Sequence, residues 1–210
     1  MNGVEWSEGR TVSTVERGEG PVTVVLAHGA GTDQHHPMIV GIAGALADLG
    51  LRVITFNYPY TEAGRRRPDR AEALVACHRA VLDDVRSRHG DPVILAGRSM
   101  GGRMATMVAA EGARMAGVVA YAYPLHPAGR PDRLRVEHLP GVKVPMLFFQ
   151  AGRDALSGGE LFDRHIRVLP GASVVDLAGA DHSFRGRGWS GDRLHPFLAE
   201  KTEQWIRTVT

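Results

Sequence analysis

Short apolar runs alternate with longer amphipathic stretches from residue 22 onward, and this alternation restricts the possible folds more than any other feature. Strand-length runs that are apolar throughout are typical of strands buried on both faces of a sheet. Stretches in which apolar residues recur three and four positions apart are typical of helices that cover such a sheet. The sequence therefore predicts an α/β fold with a mostly parallel central sheet and helices on both faces.

The boundaries of the predicted elements follow from this alternation. The six apolar strands are predicted at residues 22–27, 52–56, 92–96, 118–123, 146–150 and 173–177. The five helices are predicted at residues 36–49, 69–88, 100–111, 159–168 and 194–209. Residues 4–15 predict an antiparallel hairpin at one edge of the sheet. The segment 124–143 holds four of the 12 prolines, which predicts a loop or a minimal cap. Because this segment is too short for a cap domain, we expect residues 1–210 to form a single domain.

Composition places the chain among folded proteins and excludes several functions. Its 210 residues, 43% of them hydrophobic, suffice for one core without disulfides. The net charge of +2 predicts neither a nucleic acid nor a membrane as partner, and the run Arg65-Arg66-Arg67 is interpreted as a solvated turn. Cys77, the only cysteine, is interpreted as a buried apolar residue. No signal peptide or membrane-spanning stretch is predicted, and a cytoplasmic location is expected.

Ser99 lies in a glycine-rich turn between a predicted strand and a predicted helix. It is the central residue of the stretch Gly-Arg-Ser-Met-Gly at residues 97–101. A strand-to-helix turn this sharp brings the backbone on the two sides of the serine into contact, so positions 97 and 101 require glycine. Such a turn exposes the hydroxyl group at the carboxyl end of the sheet. The sequence therefore predicts that Ser99 is a nucleophile.

A second glycine-rich loop, His-Gly-Ala-Gly at residues 28–31, follows the first apolar strand. A serine nucleophile needs backbone N–H groups that stabilise the negative oxygen of its tetrahedral intermediate. The Ala30 amide in this loop and the Met100 amide at the start of the next helix are the predicted donors. His28 is interpreted as a structural residue that supports the loop through hydrogen bonds.

A serine hydroxyl also needs a base, and the base needs an acid that orients it. Asp154 and His182 follow the strands predicted at residues 146–150 and 173–177. Both therefore lie at the carboxyl edge of the sheet, where sites in open α/β sheets are built. The chain order Ser99, Asp154, His182 leaves room for a helix and a strand between the partners. The sequence predicts Asp154 as the acid and His182 as the base.

Other polar residues have simpler interpretations. Asp181 is interpreted as a loop or capping acid, since neighbouring side chains in a loop usually diverge. Asp176 lies within a predicted strand, too early to reach the base. His126 is the main rival to His182 as base. A metal site is not predicted from Asp33, His35 and His36 because their spacing does not match that of metal ligands. No cofactor is predicted.

These motifs resemble those of the α/β-hydrolase superfamily, over about residues 22–205. The size of the chain and the absence of a large cap domain most resemble the dienelactone-hydrolase-like branch, although those enzymes use a cysteine nucleophile and this chain has serine. The resemblance implies Ser99 as nucleophile, Asp154 as acid, His182 as base, and Ala30 with Met100 as oxyanion donors. A serine at this position implies acyl transfer, whereas related enzymes with a carboxylate there are dehalogenases or epoxide hydrolases.

The predicted function is hydrolysis of a small carboxylic ester or thioester, the partner being a small acyl substrate. The alternative is a non-catalytic binding or scaffold protein that retains the fold. The side chains expected to line the substrate pocket are Tyr58, Tyr60, Arg103, Leu125, Phe184 and Trp189. Arg98, Arg103 and Arg153 are expected near the same edge of the sheet. Because a cation in the first turn of a helix opposes the helix dipole, Arg103 predicts an anionic partner, either an acid of the fold or an acidic substrate.

Overall fold

The sheet occupies the centre of a computed structural model that describes residues 2–90, 92–186, 188–189 and 191–210. Its eight strands are β1 (Asn2–Ser7), β2 (Arg10–Arg17), β3 (Thr23–Ala27), β4 (Arg52–Phe56), β5 (Val93–Arg98), β6 (Gly117–Tyr121), β7 (Met146–Ala151) and β8 (Ala172–Leu177). Their order across the sheet is β1-β2-β4-β3-β5-β6-β7-β8. Strands β3 to β8 are parallel, and β1 and β2 add an antiparallel hairpin at one edge. The carboxyl ends of the parallel strands therefore meet at one edge, where loops from different parts of the chain converge.

The described residues form six α-helices, five of them between strands and the sixth after β8. They are α1 (Pro37–Asp48), α2 (Pro59–Glu62), α3 (Ala71–His89), α4 (Met100–Ala110), α5 (Gly159–Phe162) and α6 (Gly191–Val209). Helices α1 and α6 pack on one face of the sheet through apolar residues such as Ile42 and Leu198. Helices α3 and α4 pack on the other face through residues such as Leu82 and Met104. The predicted α/β fold with helices on both faces is confirmed.

Local signals explain where the long helices begin and end. The His36 side chain accepts a hydrogen bond from the Met38 amide at the start of α1, and Pro37 occupies the first turn, where its missing N–H is tolerated. Gly90 ends α3 with a φ angle of 65°, a left-handed conformation that favours glycine. These caps place the loops that follow β3 and precede β5.

Three segments differ in detail from the predicted elements. The single-turn helix α2 was not predicted, because four residues show no helical period. The predicted helix at 159–168 is divided into α5 and a π-helical turn, Asp163–Arg167. The segment 124–143 is a loop whose described structure holds one short 3-10 turn, Leu139–Gly141. In the part of the chain that the structure describes, no helix combines the length and the apolarity needed to cross a bilayer.

Candidate active site

The structure brings Ser99, His182 and Asp154 into one chain of hydrogen bonds at the carboxyl edge of the sheet. Ser99 follows β5 directly, Asp154 follows β7, and His182 follows β8. Ser99 Oγ lies 2.9 Å from His182 Nε2, and His182 Nδ1 lies 2.8 Å from Asp154 Oδ2. The carboxylate accepts a hydrogen bond from the Nδ1–H group, which leaves Nε2 unprotonated and able to accept a hydrogen bond from the serine hydroxyl. The Asp154 side chain is inaccessible to solvent and that of His182 is 22% exposed, so solvent reaches only the imidazole of this pair.

Both oxygens of the Asp154 carboxylate are engaged. The Leu156 amide donates a hydrogen bond of 2.8 Å to Asp154 Oδ1, while Oδ2 contacts the imidazole. The carboxylate thus has one fixed orientation, and it holds the His182 ring in the orientation that Ser99 needs.

The backbone of Ser99 is held in an unusual conformation by its neighbours. Its φ and ψ angles are 50° and −112°, which a residue with a side chain rarely adopts. A Cβ atom on Gly97 would lie 2.2 Å from the carbonyl carbon of Gly101, and one on Gly101 would lie 2.6 Å from the Ala27 oxygen. The Ser99 amide donates a hydrogen bond of 2.8 Å to the Tyr121 oxygen of the neighbouring strand. The two glycines therefore allow the close contacts that hold Ser99 at the tip of the turn.

Replacing Gly97 with alanine is expected to lower the free energy of unfolding by at least about 3 kcal/mol, because the added methyl group meets backbone atoms of α4 that have no room to move. Urea unfolding measures the change. Gly44, within helix α1, is the matched control, since a Cβ there meets nothing within 4 Å. Gly44→Ala should raise stability by about 0.5–1 kcal/mol. A Gly97→Ala protein as stable as the wild type would contradict the steric argument.

The carbonyl oxygen of Gly29 fixes the direction of the predicted oxyanion loop. Four donors approach this oxygen: His28 Nδ1 at 2.8 Å, Thr32 Oγ1 at 2.9 Å, the Thr32 amide at 3.4 Å and the Tyr60 hydroxyl at 3.4 Å. In a trans peptide the C=O and the following N–H point in opposite directions. The Gly29 carbonyl points into the protein, so we infer that the Ala30 N–H points outward. Ala30 and Ser99 line the same cavity.

His28 supports this loop through hydrogen bonds, as predicted. Its ring is inaccessible, and Nδ1 donates to the Gly29 oxygen while Nε2 accepts a hydrogen bond of 3.2 Å from the Tyr58 amide. Burial lowers the pKa of His28 to about 4, so the ring is neutral near pH 7. His78 lies behind it, 3.1 Å from the Tyr58 hydroxyl, and burial lowers the pKa of His78 to about 3. The two neutral histidines thus act in the support of the loop rather than in proton transfer.

Arg98 connects the serine turn to the histidine loop, a role that sequence reasoning missed. Its Nη2 atom donates a hydrogen bond of 3.1 Å to the His182 carbonyl oxygen and lies 3.5 Å from Ser183 Oγ. Burial lowers the pKa of the Arg98 guanidinium, and the nearby carboxylates of Asp154 and Asp181 oppose this shift. Since Arg98 is the last residue of β5 and directly precedes Ser99, this contact links the serine turn to the loop that carries His182.

A cavity of about 320 Å³ opens beside Ser99. Its wall combines the serine turn, the oxyanion loop, the start of α3 and the segment 124–143. The lining residues are Ala30, Pro68, Asp69, Ala71, Leu74, Ser99, Met100, Arg103, Met104, Pro124, His126, Pro127, Ala128, Arg135 and Leu156. Ser99 and the two predicted oxyanion residues therefore line one open cavity of the size that a small ligand fills.

Comparison with known proteins places this geometry in a family. The model of the α/β-hydrolase domain matches residues 20–210. The chain belongs to the α/β-hydrolase family. This hydrolase is similar in fold to a serine hydrolase homologue from Coxiella burnetii, with 23% identity, a TM-score of 0.70, and coverage of 95% of this chain and 91% of that one. A serine hydrolase without lid from Xanthomonas campestris is 22% identical with a TM-score of 0.75, covering 93% and 89%. Est1E of Butyrivibrio proteoclasticus, solved with ferulic acid, is 13% identical with a TM-score of 0.79, covering 100% and 99%.

The pocket lining predicted for the hydrolase needs correction. Arg103 lines the cavity, but Tyr58 and Tyr60 are fully buried beneath the oxyanion loop, where they contact His78 and the Gly29 oxygen. The two tyrosines follow β4 at the correct edge of the sheet, but α2 turns both side chains inward. They therefore support the site instead of contacting a ligand.

Three further residues predicted for the pocket lie elsewhere. Leu125 is buried, its N–H donates a hydrogen bond to the Leu156 oxygen, and its carbonyl accepts one from the Arg135 amide. Phe184 is 1% exposed and belongs to the core on the α1 and α6 face. Trp189 donates a hydrogen bond of 3.0 Å to the Ala178 oxygen and packs on Phe197. Apolar character at a strand end was a poor guide because the core requires the same side chains.

The rivals of the triad residues have other partners in the hydrolase. Asp181 Oδ1 accepts hydrogen bonds from the Ser183 and Arg185 amides, as expected for a residue that caps its own loop. Asp176, on the outer strand β8, forms a salt bridge with Arg167. His126 lines the cavity, but its Nδ1 donates to the Pro127 oxygen and His182 is the histidine beside Ser99. The described residues contain no group of three or more His, Cys, Asp and Glu side chains arranged to hold a metal ion.

Proposed function

We propose that this hydrolase cleaves a small carboxylic ester or thioester through an acyl-enzyme formed on Ser99. The observation that carries the proposal is the unbroken chain from Asp154 through His182 to Ser99, which ends at a cavity lined by Ala30 and Met100. Within the described part of the protein, the backbone amides of Ala30 and Met100 have no hydrogen-bond partner. Nucleophile, base, acid and two free donors are the groups that acyl transfer requires.

Each group has one task in the first half of the reaction. The Ser99 oxygen attacks the carbonyl carbon of the substrate while its proton passes to His182 Nε2. The carbonyl oxygen becomes negative and accepts hydrogen bonds from the Ala30 and Met100 amides. The buried carboxylate of Asp154 stabilises the imidazolium. His182 then gives its proton to the leaving oxygen or sulfur, and the acyl group remains on Ser99.

Water completes the cycle at the same atoms. Because the His182 side chain is 22% exposed, a water molecule reaches Nε2 after the leaving group departs. His182 takes a proton from that water, whose oxygen attacks the acyl carbon, and the proton returns to Ser99 as the carboxylic acid is released. The cavity volume of about 320 Å³ favours small acyl groups.

A fluorophosphonate probe tests the mechanism without knowledge of the substrate. The wild-type protein is expected to gain one adduct, which peptide mass mapping should locate at Ser99, and to hydrolyse short p-nitrophenyl esters or the matching thioesters with a burst of the first product. Denatured protein, which lacks the oriented base, serves as the control. A folded protein that neither reacts with the probe nor cleaves any compound of the panel would replace this proposal with that of a non-catalytic binding protein.

A further inference from the structure

Two arginine side chains share the cavity with the nucleophile. Arg103 lies one helical turn after Ser99, and its backbone amide donates a hydrogen bond of 3.1 Å to the Ser99 carbonyl oxygen. Arg135, in the segment 124–143, lines the same cavity. Its backbone is fixed on both sides, because its N–H donates 2.8 Å to the Leu125 oxygen and its C=O accepts 2.8 Å from the Tyr123 hydroxyl. Both arginines therefore line one small cavity.

The protein supplies these charges with no acidic partner among the described residues. Neither Arg103 nor Arg135 forms a salt bridge there, and the Arg103 Nε atom is buried without a hydrogen-bond acceptor. Burial lowers the pKa of Arg135, and the positive charge of Arg103 lowers it further. The pKa of His138 falls to about 4 for the same two reasons. Two positive charges that line one cavity repel each other, and Arg103 also opposes the dipole of α4.

The acids nearby are occupied or face other groups. Asp69 lines the cavity, but its Oδ1 atom pairs with Arg65 Nη2 at 2.7 Å. Glu137 acts electrostatically on His138 and Tyr123 and forms no described salt bridge with either arginine. The sequence left two partners open for Arg103, an acid of the fold or an acidic substrate. No acid of the described residues forms a salt bridge with Arg103, which favours the second of these partners.

We propose that Arg103 and Arg135 bind a carboxylate on the acyl part of the substrate, so that the hydrolase prefers esters or thioesters of dicarboxylic acids. This inference rests on the proposed acyl-transfer function. A guanidinium presents a planar fork of N–H donors that matches the two oxygens of a carboxylate. Arg103 starts one turn, about 5 Å, from Ser99, which suits a short acyl chain.

The position of His182 assigns the carboxylate to the acyl side. The leaving group must lie near His182 Nε2, which protonates it. Ser99, Ala30 and Met100 line the cavity, whereas His182 is not among the lining residues. The cavity with its two arginines therefore receives the part of the substrate that remains on Ser99.

Matched substrates test the preference. The p-nitrophenyl monoester of glutaric acid and p-nitrophenyl pentanoate differ by one carboxylate at similar length, and the ratio of their kcat/KM values is the measured quantity. The ratio should favour the glutarate ester in the wild type and fall about 10- to 100-fold in Arg103→Met, the range expected when hydrogen bonds to a charged group are removed. Arg135→Met should lower the ratio in the same direction, and Arg103→Lys should restore it only in part because lysine lacks the fork.

Arg153→Met is the control, since Arg153 is an exposed arginine near the same edge that does not line the cavity, and both rates should stay within about 2-fold of the wild type. Protection provides a second measurement: glutarate should slow fluorophosphonate labelling more than pentanoate does, and Arg103→Met should remove the difference. Unchanged ratios and unchanged protection in a protein that still reacts with the probe would overturn the carboxylate site alone. Failure of wild-type labelling would overturn the acyl-transfer function and this inference with it.

Discussion

Replacement of Ser99 with alanine is expected to lower kcat for any ester that the wild type cleaves by about 10,000- to 1,000,000-fold, the loss that follows removal of a triad nucleophile. The Ser99 side chain makes one described hydrogen bond, to His182, and does not cap α4. Alanine therefore removes the attacking oxygen with a change in unfolding free energy below about 1 kcal/mol. The residual rate is expected to come from the proposed oxyanion donors, the Ala30 and Met100 amides. Steady-state kinetics and urea unfolding measure the two quantities.

Ser183→Ala is the matched control for this variant. Ser183 is a serine of the neighbouring loop whose Oγ atom lies 3.5 Å from Arg98 Nη2, a weak contact. Its replacement should change kcat by less than about 3-fold, since no hydrogen bond of normal length is lost. A Ser99→Ala protein that keeps more than a hundredth of the wild-type rate would show that another group is the nucleophile.

Asp154→Asn is expected to lower kcat about 1,000- to 10,000-fold at pH 7, because asparagine favours the imidazole tautomer that carries its proton on Nε2. An asparagine has one acceptor oxygen, and the Leu156 amide requires it at the Oδ1 position. The NH₂ group then faces His182 Nδ1 and donates to it, so the ring proton moves to Nε2. A protonated Nε2 cannot accept the proton of Ser99. Nitrogen NMR of labelled histidine reports the tautomer, and kinetics report the rate.

Asp181→Asn provides the comparison for Asp154→Asn, since Asp181 precedes His182 in the same loop. An asparagine oxygen still accepts hydrogen bonds from the Ser183 and Arg185 amides, so the loop keeps its shape. The rate should stay within about 3-fold of the wild type. If the two variants lose equal activity, Asp154 has no special relation to the imidazole and the proposed triad is incomplete.

The placement of Ser99, Asp154 and His182 at one edge of the sheet could be predicted from the sequence because backbone geometry restricts these positions strongly. Gly97 and Gly101 are required by contacts below 3 Å, and this requirement identifies the serine between them. Parallel strands place their carboxyl ends at one edge, which selects Asp154 and His182 from the many acids and histidines of the chain. The same patterns predicted the strands to within a few residues, and both apolar faces of the sheet follow from them.

The pocket was poorly predictable because side-chain direction depends on contacts that are distant in the sequence. Tyr58 and Tyr60 occupy the predicted edge, yet the one-turn helix α2 directs them beneath Gly29. Arg135 was absent from the predicted lining, although it is one of the two cavity cations. No local pattern shows that a loop residue near position 135 faces a helix that begins at position 100. The charge of Arg103 was informative because a cation at a helix start is costly anywhere.

The segment 124–143 has a consequence for how such an enzyme changes over time. It contributes Pro124, His126, Pro127, Ala128 and Arg135 to the cavity wall, whereas the triad follows three strands of the sheet. Loops at the surface accept substitutions and insertions that strands do not. New selectivity can therefore arise by exchange of one contiguous stretch of sequence while the reacting groups keep their positions, so recognition and chemistry evolve as separate parts of the molecule.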